Sequence, residues 1–393
     1  VEETSDIEKV LEARMTQQPR RLGYRFGIIL NTTLGNKTRY LNFRKYAERD
    51  ASIDFEWAPV SHYGPDPDSR PWRFLPAGLR MRLFVLQQTL PVMRRLDQFD
   101  AVMVHLFEAD VILPLRRLFK KSPLLFSSTD SAPIVDRANY PLYPDDLKKP
   151  VWRQKLRLAI DFWQIRNIDH FVPFSKWGGD ILEKGCGAPA DRVHPIHVGI
   201  DLEIWPRLVR TEMPVGRVKI LFVGGDFVRK GGDLLLEVFS ARFSDVADLH
   251  LVSRQAPQAL PPHAYAHRDL NPNDGRLREL YATSDFFVLP STADLIAWGY
   301  IEALSCGLPV IGTDTGATRE LVRSGQTGLL IPVGDAGALA SAMQTLIDDP
   351  ALRQRMGHNG RELIEEHYSA AVNVPRILRV MKDAVDQRRQ VPR

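Results

Sequence analysis

Short apolar runs recur along the chain, each followed by a longer stretch in which apolar positions return every three or four residues. The runs read as strands covered on both faces, and the longer stretches as the helices that cover them. In the first half, Arg25–Leu30, Ile53–Val60, Asp100–Leu106, Pro123–Thr129, His170–Ser175 and Val193–Gly199 predict six strands. In the second, Lys219–Gly225, Asp248–Ser253, Ala264–Asp269, Asp285–Ser291, Pro309–Asp314 and Gly328–Val333 predict six more. Helical spacing covers Asp233–Phe239, Gly275–Thr283, Gly299–Cys306, Thr318–Gly325 and Ala336–Asp348, and a last helix runs over about Ala370–Arg389. Such alternation implies parallel sheets with crossover helices, so the predicted fold class is α/β with two doubly wound domains. The expected divisions are residues 21–205, residues 206–369, and a C-terminal helix over 370–393 that packs back toward the first domain. The weakly periodic segment Asp201–Val215, with Pro206 and Pro214, reads as the linker. Open α/β sheets take ligands at the carboxyl ends of their strands, so two facing domains predict one interdomain cleft.

Composition narrows the class. The chain has 393 residues, 44% hydrophobic and 25% charged, which is ordinary for soluble globular proteins and excludes a disordered or disulfide-stapled chain. No apolar run approaches the roughly 20 residues that span a bilayer. Cys186 and Cys306 give neither a disulfide framework nor a metal cluster, and the acidic, polar start lacks the pattern of a signal peptide. A cytoplasmic protein is expected, with the inner face of a membrane as a second place for it. The net charge of +4 is uneven: residues 1–205 carry 30 Lys/Arg against 26 Asp/Glu, and residues 206–393 carry 22 of each. The surplus lies in pairs, Arg80 and Arg82, Arg94 and Arg95, Arg116 and Arg117, Lys120 and Lys121, Lys148 and Lys149, among Leu, Phe, Met and Trp. Such a face suits either solvent or anionic lipid. No repeat or nucleic-acid module is present, so no nucleic-acid partner is expected.

Two constellations carry candidate chemistry. The strand Lys219–Val223 runs into Gly224-Gly225-Asp226-Phe227-Val228-Arg229-Lys230-Gly231-Gly232 and then an apolar helix. Glycines permit close backbone approach, a helix start offers free N–H groups, and Arg229 and Lys230 add charge, a combination that suits a diphosphate. It is neither the P-loop nor the dinucleotide glycine pattern. Further on, Asp285–Ser291 leads to Asp294 and then to Gly299-Tyr300-Ile301-Glu302. Two carboxylates, Asp294 in a loop and Glu302 in a helix, suit the hydroxyls of a sugar or ribose. In the first half, His105, Thr129 and Asp130 follow or end strands on the cleft side, and the loop Thr33–Thr38 precedes a helix expected from about Arg39. Asp66-Pro67-Asp68 sits among prolines and reads as a loop, and His263 and His267 lack a third ligand at telling spacing, so no metal site is assigned.

The run from Ile220 to about Tyr368 resembles the nucleotide-sugar-binding domain of family 4 glycosyltransferases, retaining enzymes of the GT-B fold, two Rossmann-like domains around a cleft. The glycine loop and the acidic-x7-Glu element carry the likeness. Gly316-Ala317-Thr318-Arg319-Glu320-Leu321-Val322 and Gly325-Gln326-Thr327-Gly328-Leu329-Leu330 extend it, with weaker matches at His105, Phe174-Ser175 and Gly199-Ile200-Asp201. The resemblance implies that Glu302 holds the ribose hydroxyls and that Asp294, where Glu is usual, contacts the transferred sugar. Lys230 matches the loop lysine, Gly225 replaces the usual arginine beside Gly224, and Arg229 is expected to compensate. Backbone groups around Trp298, Gly299, Tyr300 and Ile301 would meet the diphosphate, although the opening of the acidic motif is altered to Asp294-Leu295-Ile296-Ala297. His105 would lie near the transferred sugar, with Gly35, Asn36, Thr129 and Asp130 on the acceptor side. The implied activity is transfer of a hexose from a uridine- or guanosine-linked donor to a sugar, polysaccharide or lipid-linked acceptor, without a metal or other cofactor. A catalytically inactive nucleotide-sugar-binding protein, or a phosphorylase or epimerase on the same fold, is the alternative.

Overall fold

The computed structural model of the chain describes residues 23–32, 35–61, 77–104, 122–128, 150–205, 216–271 and 274–390. In the first domain, β1 (Tyr24–Asn31), β2 (Ile53–Val60), β3 (Ala101–Val104), β4 (Leu124–Ser127) and β5 (His170–Phe171) form a sheet ordered β2-β1-β3-β4-β5. Every pairing is parallel. Helices α1 (Gly35–Ala47), α2 (Ala77–Met93), α3 (Val151–Asn167) and α4 (Lys176–Asp180) connect or follow these strands. The interior strand β1 is buried on both faces from Phe26 to Leu30, the condition of a parallel strand between two helical layers.

The second domain repeats the design with β6 (Val218–Val223), β7 (Ala247–Val252), β8 (Ala264–His267), β9 (Phe286–Leu289), β10 (Val310–Thr313) and β11 (Gly328–Ile331), ordered β11-β10-β9-β6-β7-β8. Its pairings are also parallel. The intervening helices are α5 (Gly232–Arg242), α6 (Gly275–Thr283), α7 (Trp298–Ser305), α8 (Thr318–Leu321), α9 (Ala336–Asp348) and α10 (Pro350–His367). The last helix, α11 (Ala370–Gln390), returns to the first domain. Its Ala370, Val374, Ile377, Leu378, Met381 and Val385 join the core formed by β1, β3 and α1. Lys382 Nζ reaches Asp50 at 2.7 Å, and Tyr24 donates its hydroxyl to Asp386 at 2.6 Å.

The return is tight. Ile200 N donates to Tyr368 O at 2.7 Å, and Ala370 N to Ile200 O at 2.9 Å. A Cβ on Gly199 would lie 2.4 Å from the Ala370 Cα, so that approach needs glycine.

Several elements differ from the sequence pattern. Among the described residues the first sheet has five strands rather than six. Segment 193–199 makes one bridge, Val193 to Phe171: His194 N and Ile196 N donate to Phe171 O and Pro173 O, but Pro173 has no N–H to donate back and continue the ladder. Helix α1 begins at Gly35 rather than near Arg39, so Gly35 and Asn36 are in its first turn and not in a free loop. Helix α8 is a single turn rather than a run to Gly325, because the Thr327 hydroxyl accepts from Arg323 N at 2.8 Å and donates to Leu321 O at 2.7 Å. The expected linker falls partly on residues 206–215, outside the described residues.

Candidate active site at the sheet crossover points

Strand order reverses between β1 and β3 in the first sheet and between β6 and β9 in the second. Such reversals open a crevice at the carboxyl ends of the strands. The loop after β6 holds Gly224 to Gly231, and the loop after β9 holds Pro290 to Asp294. The two glycine-loop cations and the first acidic candidate therefore flank one crevice.

The loop geometry explains its residues. Gly231 has φ of +75°, and a Cβ there would stand 2.1 Å from Pro290 O. A Cβ on Gly224 would meet the Phe222 ring at 2.8 Å and Lys230 Cβ at 3.0 Å. Both are glycine because neighbouring atoms fill the space. Gly225 faces open space instead, and a Cβ there would have no neighbour within 4 Å. The loop is tied to its neighbour by Thr292 N donating to Arg229 O at 2.9 Å.

Lys230 donates to the Asp294 carboxylate, which also accepts from the Ser291 hydroxyl at 2.9 Å. Arg229 Nη1 lies 3.9 Å from Asp294 Oδ1 and donates to Ala293 O at 2.8 Å, while its Nε reaches Asp226 at 3.1 Å. Asp294 and Lys230 are nearly buried, so their charges act with little screening by solvent. This arrangement can present two cations and one switchable carboxylate to an anionic ligand, with the start of α5 behind them.

Helix α7 brings the second carboxylate. Glu302 is 6% exposed, and its Oε2 accepts the Tyr281 hydroxyl of α6 at 2.8 Å. Burial pushes its carboxyl up to about 7, against the lowering effect of the Tyr281 bond. Trp298 and Gly299 occupy the first turn of α7, where N–H groups have no helical carbonyl to meet. The Tyr300 N–H bonds Ala297 O at 3.1 Å, and its hydroxyl donates to Leu289 O at 2.7 Å from within the core. Ile301 is likewise a core side chain. A Cβ on Gly299 would strike the Phe287 ring at 2.8 Å, so this glycine seats α7 on β9.

On the first domain, Gly35 and Asn36 open α1 at the β1/β3 reversal, with Asn36 half-buried. His105, Thr129 and Asp130 lie outside the described residues. One turn along α1, buried Arg39 donates to Ser128 Oγ at 2.6 Å, and its guanidinium sits 3.9 Å from the centre of the Phe174 ring. The domains are joined beside this edge. Glu320 of α8 accepts Lys176 N at 3.0 Å and Trp177 N at 2.7 Å, and His197 Nε2 lies 3.0 Å from it. Burial alone would raise the Glu320 carboxyl, but His197 and the two N–H groups more than offset this and hold it below its ordinary value.

Among the described residues no group of three His, Cys, Asp or Glu side chains is placed to hold a metal. His267 pairs with His250 at 3.1 Å and His263 with Asp248 at 3.2 Å, while Asp66 and Asp68 lie outside the described residues.

Residues 217–349 match the family model for glycosyl transferases group 1. The chain also resembles sucrose-phosphate synthase from Thermosynechococcus elongatus, with a TM-score of 0.73 at 18% identity over 92% of this chain and 100% of that one. Residues 217–349 therefore resemble a group 1 glycosyl transferase domain, and the fold of the chain is GT-B. HepE from Anabaena, solved in complex with UDP-glucose, shares this fold with a TM-score of 0.67 at 12% identity, over 92% of this chain and 100% of that one. Alpha-maltose-1-phosphate synthase from Mycobacterium tuberculosis is 29% identical over 221 residues, 49% of this chain and 57% of that protein. The chain thus spans little more than half the length of the curated relatives it matches.

The group 1 domain contains the cluster of Lys230, Arg229 and Asp294 as well as Glu302. Sequence reading did not single out Tyr281, Ser291, Arg39 or the Glu320–His197 contact. Tyr281 reads as an ordinary apolar-face position of a helix, and no spacing rule links it to Glu302 on another helix. Ser291 stands three residues before its partner Asp294 in the same loop, a spacing that could have signalled the pair, whereas Glu320 meets Lys176, Trp177 and His197 only across the two domains.

Proposed function

We propose that the chain is a retaining glycosyltransferase that moves a hexose from a uridine- or guanosine-diphosphate sugar to an acceptor hydroxyl. The observation behind this reading is the meeting of Lys230, Arg229 and Asp294 at the β6/β9 crevice, beside the starts of α5 and α7. In the reaction, the bond from the anomeric carbon to the phosphate oxygen breaks and a nucleoside diphosphate departs. The acceptor oxygen bonds to that carbon on the same face, and its proton passes to the departing phosphate oxygen. Negative charge grows on the diphosphate, where Lys230 and Arg229 stabilise it most.

Asp294 holds Lys230 at the mouth until phosphate takes its place, and its carboxylate is then free to accept a sugar hydroxyl. Glu302 accepts the ribose hydroxyls, and Trp298 and Gly299 turn their N–H groups toward the diphosphate. His105 orients the sugar, while Gly35, Asn36, Thr129 and Asp130 line the acceptor side. Domain closure excludes water that would otherwise hydrolyse the donor. The two cations supply the charge that a metal would supply elsewhere.

A panel of UDP-, GDP-, ADP- and TDP-sugars, followed by nucleoside diphosphate release in the presence of a chelator, tests this account. Release from one donor, unchanged by chelation, is expected. Release that stops with chelator and returns with a divalent cation would move the charge role to a metal. Binding without release across a broad acceptor panel would favour a protein that only holds the nucleotide sugar.

A further inference from the structure

Helix α3 buries polar side chains and exposes large apolar ones. A surface helix of a globular protein turns apolar residues inward and polar ones outward. In α3, Asp161 and Gln164 are fully buried, while Val151, Trp152, Leu156 and Trp163 are 65%, 61%, 55% and 37% exposed. At 100° per residue, Trp152, Leu156, Ala159 and Trp163 fall within about 60° of arc, so they form one outward stripe. The other exposed large apolar side chains of the described residues stand on different elements or loops. A cluster of this kind signals a surface that meets something.

The charges beside the stripe identify the occupant. Arg153, Lys155 and Arg166 are exposed on the same helix, and its one carboxylate, Asp161, is buried. The Arg153 guanidinium lies 5.2 Å from the Trp152 ring centre. Among the described residues of the helix the exposed charged side chains beside tryptophan and leucine are all basic, which matches the boundary between acyl chains and anionic headgroups. A second copy presenting the same stripe would set these cations against one another.

We propose that the outward face of α3 docks the protein on an anionic membrane surface. The helix enters β5 two residues after it ends, so its carboxyl end lies at the amino end of that parallel strand. Its amino end, with Trp152 and Leu156, stands on the side of the strand carboxyl ends, where the cleft opens. Docking therefore brings the cleft toward the lipid surface, which suits a lipid-linked acceptor. That corollary rests on the transferase reading; the docking itself does not.

Co-sedimentation of the full chain with phosphatidylcholine vesicles, with and without about one third phosphatidylglycerol, tests the docking. Binding is expected only to the anionic vesicles and is expected to weaken as salt is raised. The doubly substituted Trp152→Ser, Leu156→Ser chain should keep the native melting profile, since both side chains are exposed, and partition about tenfold or more weakly. Arg153→Glu with Lys155→Glu should remove the preference for anionic lipid while leaving the fold intact. Absence of native binding to anionic vesicles at low salt, or equal binding by the Trp152→Ser, Leu156→Ser chain, would overturn the proposal. So would a native dimer in gel filtration that the same pair of substitutions converts to monomer, since a second copy would then be the occupant.

Discussion

Glu302 is sealed beneath α7 with Tyr281 as its hydrogen-bond partner, and burial holds its carboxyl up to about 7. In its proposed role, the ionised carboxylate offers acceptor oxygens to two ribose hydroxyls; protonated, one of those oxygens becomes a donor. Donor KM is therefore expected to rise as pH falls below about 7, and Glu302→Gln should bind donor weakly with little pH dependence. An unchanged pH profile in Glu302→Gln would assign the titration to another group. Stability has a linked sign. The folded chain keeps a proton that the unfolded chain releases between the ordinary value of 4.5 and about 7, so the contribution of this group is full below that window and falls as pH rises through it. At this scale motif spacing along the chain singles out Lys230, Arg229, Asp294 and Glu302 as candidates, and the structure brings the first three together. Tyr281 was invisible, since its pairing crosses two helices whose packing no local pattern specifies.

The strand-to-helix turn after β6 is the element on which the proposed donor site depends. Two of its glycines have opposite meanings. Gly231→Ala must force a left-handed backbone and a Cβ onto Pro290 O, and is expected to cost about 3 kcal/mol or more. Gly225→Arg meets open space and should melt like the native chain while tightening donor binding by adding a cation beside Lys230. Thermal melting with donor titration checks both, and a destabilised Gly225→Arg chain would show that the loop differs from this geometry. Element types were largely legible from periodicity, and Gly275–Thr283 and Ala336–Asp348 were placed at both ends. Misplaced ends share a local cause: Pro173 stops a ladder, and the Thr327 hydroxyl closes a turn where the pattern alone would continue α8.

At the scale of the whole molecule, α11 and the Glu320 contact hold the two domains together. The apolar spacing from Ala370 to Val385 shows that α11 has a buried face, but only the crossing at Ile200 shows that β1, β3 and α1 cover it. Glu320 caps the start of α4 from the other domain. Glu320→Ala is expected to cost about 1–2 kcal/mol, near 3–6 °C in Tm, and to speed amide exchange at Lys176 and Trp177. Exchange unchanged at those two amides would show that the clamp does not hold the domains in solution. The most direct test of the central claim is single-turnover transfer from the donor selected by the nucleotide-sugar panel, comparing the native chain with Lys230→Ala at matched folding. The account predicts a loss of about two to three orders of magnitude in the rate of nucleoside diphosphate release, as removal of one charge-stabilising donor does elsewhere. A native rate in Lys230→Ala would contradict it.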